Sequence, residues 1–415
     1  MSLKLFDQEV FQLIREEEKR QKNTLDLIAS ENYASQATIE AQASILANKL
    51  AEGYIGKRLC AGCEVIDKIE KLAIERAKAL FGAEHVNIQC LSATQANIAV
   101  YSALLDHGDA VLAPKLSHGG HFSHGSPRHI SGKSYRFFHY GVSTQNEQID
   151  IEEVEKIALE KRPKLIIAGM SAYPRKIEFS QFRKVTDKVG ALLLADIAHV
   201  VGLIIANLHP HPVPHADVVT SSTHKTFRGP RGCGIIMCRK EFGAAIDEAV
   251  FPGNQGAPVM NIIASRAILL KEAMSPDFTR YQMQVLENAR VLAEGLASHG
   301  IRLVSGGTDT HLILIDLRQL GLNGNEVESL LYSVGIATNK NLIPFDEKPP
   351  HITSGVRLGT AALTTRGMKR PEMEKIGTLI ARVLLNPANE SELLKVQKES
   401  LSLARKFPLF SNDWI

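Results

Sequence analysis

Short apolar runs alternate with helical periodicities along most of the chain. Ala110–Ala113, Leu165–Ala168, Leu192–Ala195, Val218–Thr220 and Ile235–Met237 are apolar or nearly so throughout. Runs of this length predict strands buried on both faces, as in a mostly parallel sheet covered by helices. Glu152–Lys161 and Ser180–Val189 have helical spacing and lie between such runs. Glu64–Phe81 is amphipathic, with Val65, Ile66, Ile69, Leu72, Ala73 and Leu80 on one side, and Gly82 is placed to stop it. Thr94–Leu105 predicts another helix, ending near Gly108, and Ala264–Ala273 and Tyr281–His299 predict two longer ones. After Gly306 a second alternation begins with a strand over His311–Leu317 and a helix over Gly324–Leu331. A strand over Val356–Leu358 and a helix over Glu374–Leu385 follow. Pro387–Glu392 predicts a surface turn before a last helix. Residues 5–22 alternate apolar and charged positions at helical spacing. The expected class is α/β. The expected division is an N-terminal helical arm over 1–40, a large domain over 41–278 and a small C-terminal domain over 279–415.

Composition narrows the function classes. Among 415 residues, 48 Lys and Arg stand against 45 Asp and Glu, a net charge of +3, which gives no nucleic-acid footprint. No apolar run approaches the roughly 20 residues of a membrane helix, and the charged N-terminal stretch lacks a signal-peptide pattern. Five cysteines make no disulfide framework, so a reducing cytoplasm is expected. Cys60 and Cys63 have zinc spacing, but no second Cys or His pair follows, so two reduced thiols and no metal are expected.

Candidate chemistry collects at the ends of the apolar runs. Asp196 closes the run Ala191–Ala195, where folds of this class bind ligands, although an acid there also serves as a helix N-cap. The next run, from Asp217, leads through Ser222 and Thr223 to His224 and Lys225. A partly desolvated lysine is a competent amine nucleophile. A lysine and an acid at this separation suit pyridoxal phosphate, whose aldehyde needs the amine and whose ring nitrogen needs the acid. Ser92, Ala93 and Thr94 open a helix and form either an anion site or a plain cap. His121, in a histidine-rich segment, offers a flat ring or lies in a solvated loop.

These blocks resemble the serine hydroxymethyltransferase family. The matching segments are 27–33, 51–54, 117–121, 171–173, 196–199, 223–226, 229–232, 304–309 and 353–357. The resemblance implies an aspartate-aminotransferase-like (fold type I) large domain with a mostly parallel sheet, plus a smaller α+β C-terminal domain. It implies transfer of a hydroxymethyl group between serine or glycine and tetrahydrofolate, with pyridoxal 5'-phosphate as cofactor. Lys225 matches the lysine that carries the cofactor, Asp196 the acid on its ring nitrogen and His121 the stacking ring. Ser92, Ala93, Thr94, Ser222, His224 and Gly256 match positions around the phosphate and cofactor loop. Ser171 and His199 match positions near the phenolic oxygen. Arg357 matches the residue that binds the substrate carboxylate, a role suited to its bidentate fork. Ser30, Tyr54, Arg231 and Asn341 match other substrate-side positions, and Gly119 and Gly120 the loop that receives folate. Glu52 matches the acid/base of the transfer, and His224 belongs with the catalytic group. The implied assembly is a homodimer with shared sites, or a tetramer, in which Glu52 and the loop Gly253–Gly256 serve the neighbouring subunit. The implied partners are small molecules, with neither nucleic acid nor membrane among them.

The chain departs from the family pattern in one segment above all. Leu50, Leu59 and Cys60 stand where the family carries tyrosines. Ala93 and Thr94 replace Gly and Ser, Ala257 replaces a glycine, and Phe122 replaces a smaller apolar residue. Two further activities therefore stand beside the main expectation. One is hydroxymethyl transfer to an α-substituted substrate such as α-methylserine or D-alanine. The other is a folate-independent aldolase reaction on β-hydroxy amino acids. A non-catalytic scaffold is disfavoured by the presence of Lys225, Asp196, His121, His199 and Arg357.

Overall fold

The computed structural model describes residues 3–409. The chain divides into two compact units, one over Asn32–Met283 and one formed by the segments up to Glu31 and from Gln284 onward. The division falls within the helix Pro276–Ser298.

A seven-stranded sheet forms the centre of the first unit. Its spatial order is His85–Asn87, Gly234–Cys238, Val218–Ser222, Leu192–Asp196, Leu165–Ala168, Ala110–Pro114 and Arg136–Tyr140. Only Gly234–Cys238 runs against the others. The apolar runs become strands because helices cover both faces, so every residue of Ala110–Pro114, Val218–Ser222 and Gly234–Cys238 is buried. The helix Ala93–Leu104 lies on one face and shares a core with Val111, Ala113, Leu165, Ile167, Leu194, Val218 and Ile236. Helix Glu64–Phe81 has the bounds its periodicity predicts and ends on Gly82 in the left-handed conformation.

Strand order determines where a ligand crevice opens. From Ala110–Pro114 the chain next adds Arg136–Tyr140 on one side and then Leu165–Ala168 on the other. At such a switch point the loops leaving the two strand ends diverge. The loop after Pro114 carries His118–His124, and the loop after Ala168 carries Ser171. The two loops meet where the Ser171 and Ala172 N–H groups donate to the Gly119 carbonyl at 2.7 and 3.2 Å. A Cβ on Gly119 would lie 2.7 Å from the Ala172 carbonyl oxygen, so this close approach itself requires glycine.

The second unit holds a three-stranded antiparallel sheet with Gly355–Gly359 between Leu312–Asp316 and Asn339–Asn341. Leu292, Leu296, Ile313, Ile315, Val356, Leu358, Ile376 and Ile380 make its core, and Leu25 and Leu27 join it. Leu25–Asp26 pairs in parallel with Ile336–Ala337. Arg366 ties the N-terminal segment in place by donating to the carbonyls of Thr24 (2.7 Å), Lys22 (3.1 Å) and Ala404 (2.6 Å). The last helix, Glu390–Lys406, is capped by Asn389, so the expected turn over Pro387–Glu392 is shorter than its composition suggests.

Candidate active site

Asp196 closes its strand opposite Thr220 of the next one. Its Oδ2 accepts from the Asn97 amide at 2.9 Å and lies 3.1 Å from His124 Nε2, while its Oδ1 accepts from the Ala198 N–H at 3.1 Å. Asn97 also donates to Ser123 Oγ at 2.9 Å and accepts from Thr220 Oγ1 at 2.7 Å. Ser123 Oγ in turn lies 2.7 Å from His121 Nδ1. Burial works against ionisation of Asp196, but the hydrogen bond and charge of His124, then His121 and Asn97, hold its carboxyl well below the usual range. The same burial, with His124 beside it, pushes His121 down to about 4, so its ring is neutral at pH 7.

Thr220 belongs to the strand that ends at Ser222, and Lys225 follows on a tight turn. Gly229 N–H donates to the Thr223 carbonyl at 2.7 Å, and Thr223 Oγ1 donates to the Pro230 carbonyl at 2.6 Å. Thr226 Oγ1 donates to the His199 carbonyl at 2.8 Å, which joins this turn to the segment after Asp196. Asn32 donates to the Lys225 carbonyl at 2.8 Å. Lys225 is thereby only 9% exposed. His224 is half-buried; burial, then the charges of Lys225 and Arg231, push it down to about 3. Among the described residues its buried Nδ1 has no hydrogen-bond partner. Ser222 is buried and donates to the Ala198 carbonyl at 3.4 Å, and Arg231 is exposed.

Ser92 is the N-cap of Ala93–Leu104, its Oγ accepting from Gln95 N–H at 3.0 Å. The cap leaves the first N–H groups of this helix, at Ala93 and Thr94, for an outside acceptor. An ionised acid, a buried amine, a neutral ring and an imidazole nitrogen left open among the described residues are the groups a pyridinium aldehyde needs, so the residues present fit pyridoxal phosphate.

A family model described as serine hydroxymethyltransferase matches residues 3–380. The chain belongs to this family. The family is of fold type I, in keeping with the mostly parallel sheet. Its members depend on pyridoxal phosphate, use tetrahydrofolate and are transferases of the hydroxymethyltransferase kind. They are typically oligomeric and act on small molecules. No helix among the described residues is long and apolar enough to cross a membrane, and none of their His, Cys, Asp and Glu side chains form a metal-holding group of three.

The remaining candidate residues fall into separate places. Glu52 lies on the segment before helix Glu64–Phe81, and a Cβ on Gly256 would sit 3.4 Å from Glu52 Oε1. The two residues are therefore neighbours within one chain. Among the described residues no hydrogen bond joins Glu52 to the Asp196 network. The Tyr54 hydroxyl donates to the Asp247 carbonyl at 2.6 Å and accepts from Asn87 at 3.0 Å. Burial, then the charge of Asp247, raises that phenol. In the other unit, Arg357 is buried in the middle strand of the small sheet, with Asn339 Oδ1 accepting from its Nε at 3.1 Å. Burial pushes its guanidinium down to about 10. Asn341 lies on the neighbouring strand and donates to the Leu342 carbonyl. Ser30 follows Ala29, which packs against Gly359 at the end of the Arg357 strand.

Sequence reasoning missed Asn97, Ser123, His124 and Thr220. Asn97 left one signal: an amide in the otherwise apolar stretch Asn97-Ile-Ala-Val-Tyr101 requires a buried partner.

Proposed function

We propose that this chain transfers a hydroxymethyl group between serine or glycine and tetrahydrofolate, with pyridoxal phosphate as cofactor. The observation that carries the proposal is the pairing of an ionised Asp196, its side chain only 9% exposed, with the buried Lys225 turn on adjacent strands. When bound, the cofactor supplies an electron sink for the substrate carbon whose bond to the hydroxymethyl group breaks. Lys225 would hold the cofactor's aldehyde and Asp196 would keep a proton on its ring nitrogen. His121, neutral, would cover one ring face without competing for that proton. The N–H groups of Ala93 and Thr94, with Ser92, Ser222, His224 and Gly256, would hold the phosphate. Ser171 and His199 would lie on the phenolic oxygen. Arg357 would fix the amino-acid carboxylate and so set which bond is broken. Ser30, Tyr54, Arg231 and Asn341 complete the proposed substrate side. Glu52 would take the proton of the hydroxymethyl oxygen as the one-carbon unit leaves for folate. Its position beside Gly256, without a hydrogen bond to the Asp196 network, suits a homodimer in which both residues serve the other subunit's site. The reduced cysteines fit a cytoplasmic enzyme.

Purified protein given pyridoxal phosphate should turn yellow, and Lys225→Ala should abolish that absorption; a colourless wild type overturns the proposal. Arg357→Ala should keep the colour and lose amino-acid binding. A second reading, transfer to an α-substituted substrate such as α-methylserine or D-alanine, draws support from Cys60 lying against Leu50, its Sγ donating to the Leu50 carbonyl at 3.2 Å. Two small side chains stand there in place of two phenols. A panel of serine, glycine, α-methylserine, allo-threonine and D-alanine, with and without tetrahydrofolate, separates these readings from a folate-independent aldolase.

A further inference from the structure

The segment that carries Glu52 also carries a thiol pair. Cys60 Sγ and Cys63 Sγ are 3.7 Å apart, about van der Waals contact, so each sulfur lies within reach of attack by the other. Cys63 is the N-cap residue of the 18-residue helix Glu64–Phe81, where the helix dipole favours a thiolate. A fixed cation stands beside them: Lys49 Nζ lies 3.9 Å from Cys60 Sγ and is held there by the carbonyls of Leu50 (2.6 Å) and Ala61 (3.1 Å). Cys60 is partly exposed and Cys63 buried, whereas Cys90, Cys233 and Cys238 are buried elsewhere. Burial, then the neighbouring Cys60, pushes the Cys63 thiol up, while Lys49 pulls the other way.

We propose that Cys60 and Cys63 form a reversible dithiol–disulfide site for small disulfide oxidants of the glutathione type. Cys60, the accessible member, attacks one sulfur of the oxidant as the thiolate. A mixed disulfide forms and one glutathione thiol leaves. Cys63 then attacks Cys60 Sγ and expels the second glutathione thiol. The two cysteines lose two electrons and two protons, and the oxidant gains them as two thiols. The Cys60 thiol donates to the Leu50 carbonyl at 3.2 Å, and Cys63 to the Cys60 carbonyl at 3.4 Å. Oxidation removes both donors and ties the segment around Glu52 to the start of the helix. The pair lies on the segment of Glu52, but its thiol count is read independently of the proposed transfer reaction.

The test uses the full chain loaded with pyridoxal phosphate and equilibrated in buffers from fully reduced to fully oxidised glutathione. Alkylation and peptide mass spectrometry then count free thiols. Wild type should lose both alkylatable thiols at Cys60 and Cys63 and regain both with dithiothreitol. Cys63→Ser should stop at a mixed disulfide on Cys60, and Lys49→Ala should slow bond formation. If both thiols stay alkylatable in fully oxidised glutathione, or wild type halts at the mixed disulfide, the proposal is overturned. Hydroxymethyl transfer measured on the same samples keeps the two proposals apart. No turnover in either redox state would strike the functional reading and leave the thiol count to decide this one.

Discussion

Asn97, Ser123, His124 and Thr220 converge on Asp196 with almost no exposure, whereas Leu50 and Leu59 face outward at 56% and 71%. Both regions lie in the same compact unit. Around Asp196 the side chains are the structure: each polar atom satisfies another, and a change at one leaves its neighbours short. Around Glu52 it is the backbone that is held. Arg58 donates to the carbonyls of Ala51 and Gly53, on either side of Glu52, and to Asp67 at 2.9 Å. It also pairs with Glu70, and Gln89 bonds both Glu70 (2.7 Å) and the Gly53 carbonyl (3.1 Å). A clamp on carbonyls keeps the path of the chain whatever side chains the outer residues carry. Such a clamp would tolerate change at residues 50, 59 and 60, where the sequence is expected to depart from the family pattern.

The largest effect should come from beneath the outer segment. The Arg58 and Glu70 side chains are 4% and 1% exposed, and breaking a buried ion pair leaves an uncompensated charge. Arg58→Ala, which leaves the buried Glu70 carboxylate with only the neutral Gln89 amide, should destabilise the protein by about 3–5 kcal/mol, read by urea unfolding. A loss below about 1 kcal/mol, the range of exposed pairs, would mean the clamp belongs with the surface and would break the contrast. Next comes the inner network. Asn97→Leu keeps the branching but orphans Thr220 Oγ1 and removes one bond each from Ser123 and Asp196, and should cost about 1–3 kcal/mol. It should also let the Asp196 carboxyl rise toward its ordinary range, visible as cofactor binding that weakens at acid pH sooner than in wild type.

Much of this was legible in the chain, for identifiable reasons. Asp196 and Lys225 stand out because each follows a short apolar run, and the end of a buried strand leaves a polar side chain little but a site to face. The strand Arg136–Tyr140 escaped the same reading. It lies at the sheet edge, where Arg136 and His139 are exposed, so it has no continuous apolar run. His85–Asn87, the other edge, is only three residues long. The partners of Asp196 escaped because hydrogen bonds between residues far apart in sequence leave no period.

Acid should discriminate the two regions more gently. Burial, then the charge of Lys115, pushes His118 down to about 4, and His121 sits at about 4 as well. The unfolded chain takes up these protons near pH 6.5 and the folded protein does not. Their contribution is complete above about pH 6.5 and is lost as pH falls toward 4, at about 1.4 kcal/mol per histidine per pH unit. The segment Leu50–Cys63 contains no histidine and adds nothing to this slope. Unfolding free energies at pH 7 and pH 5.5 should therefore differ, and His118→Gln should flatten the difference. An unchanged slope in that variant would place the proton uptake elsewhere.

The smallest effect is expected at Leu59. Its side chain is 71% exposed, and its N–H, which donates to the Glu52 carbonyl at 3.0 Å, belongs to the backbone and survives substitution by serine. Leu59→Ser should therefore shift the unfolding free energy of the isolated chain by less than about 0.5 kcal/mol. The measurement gains its force when repeated across protein concentrations. If a second copy covers this segment, as a site shared between subunits requires, the wild-type midpoint rises with concentration by mass action. The Leu59→Ser midpoint would then fall behind as concentration increases. If the two proteins stay together at every concentration, Leu59 faces solvent in the working assembly, and the outer segment is free to vary because nothing packs on it.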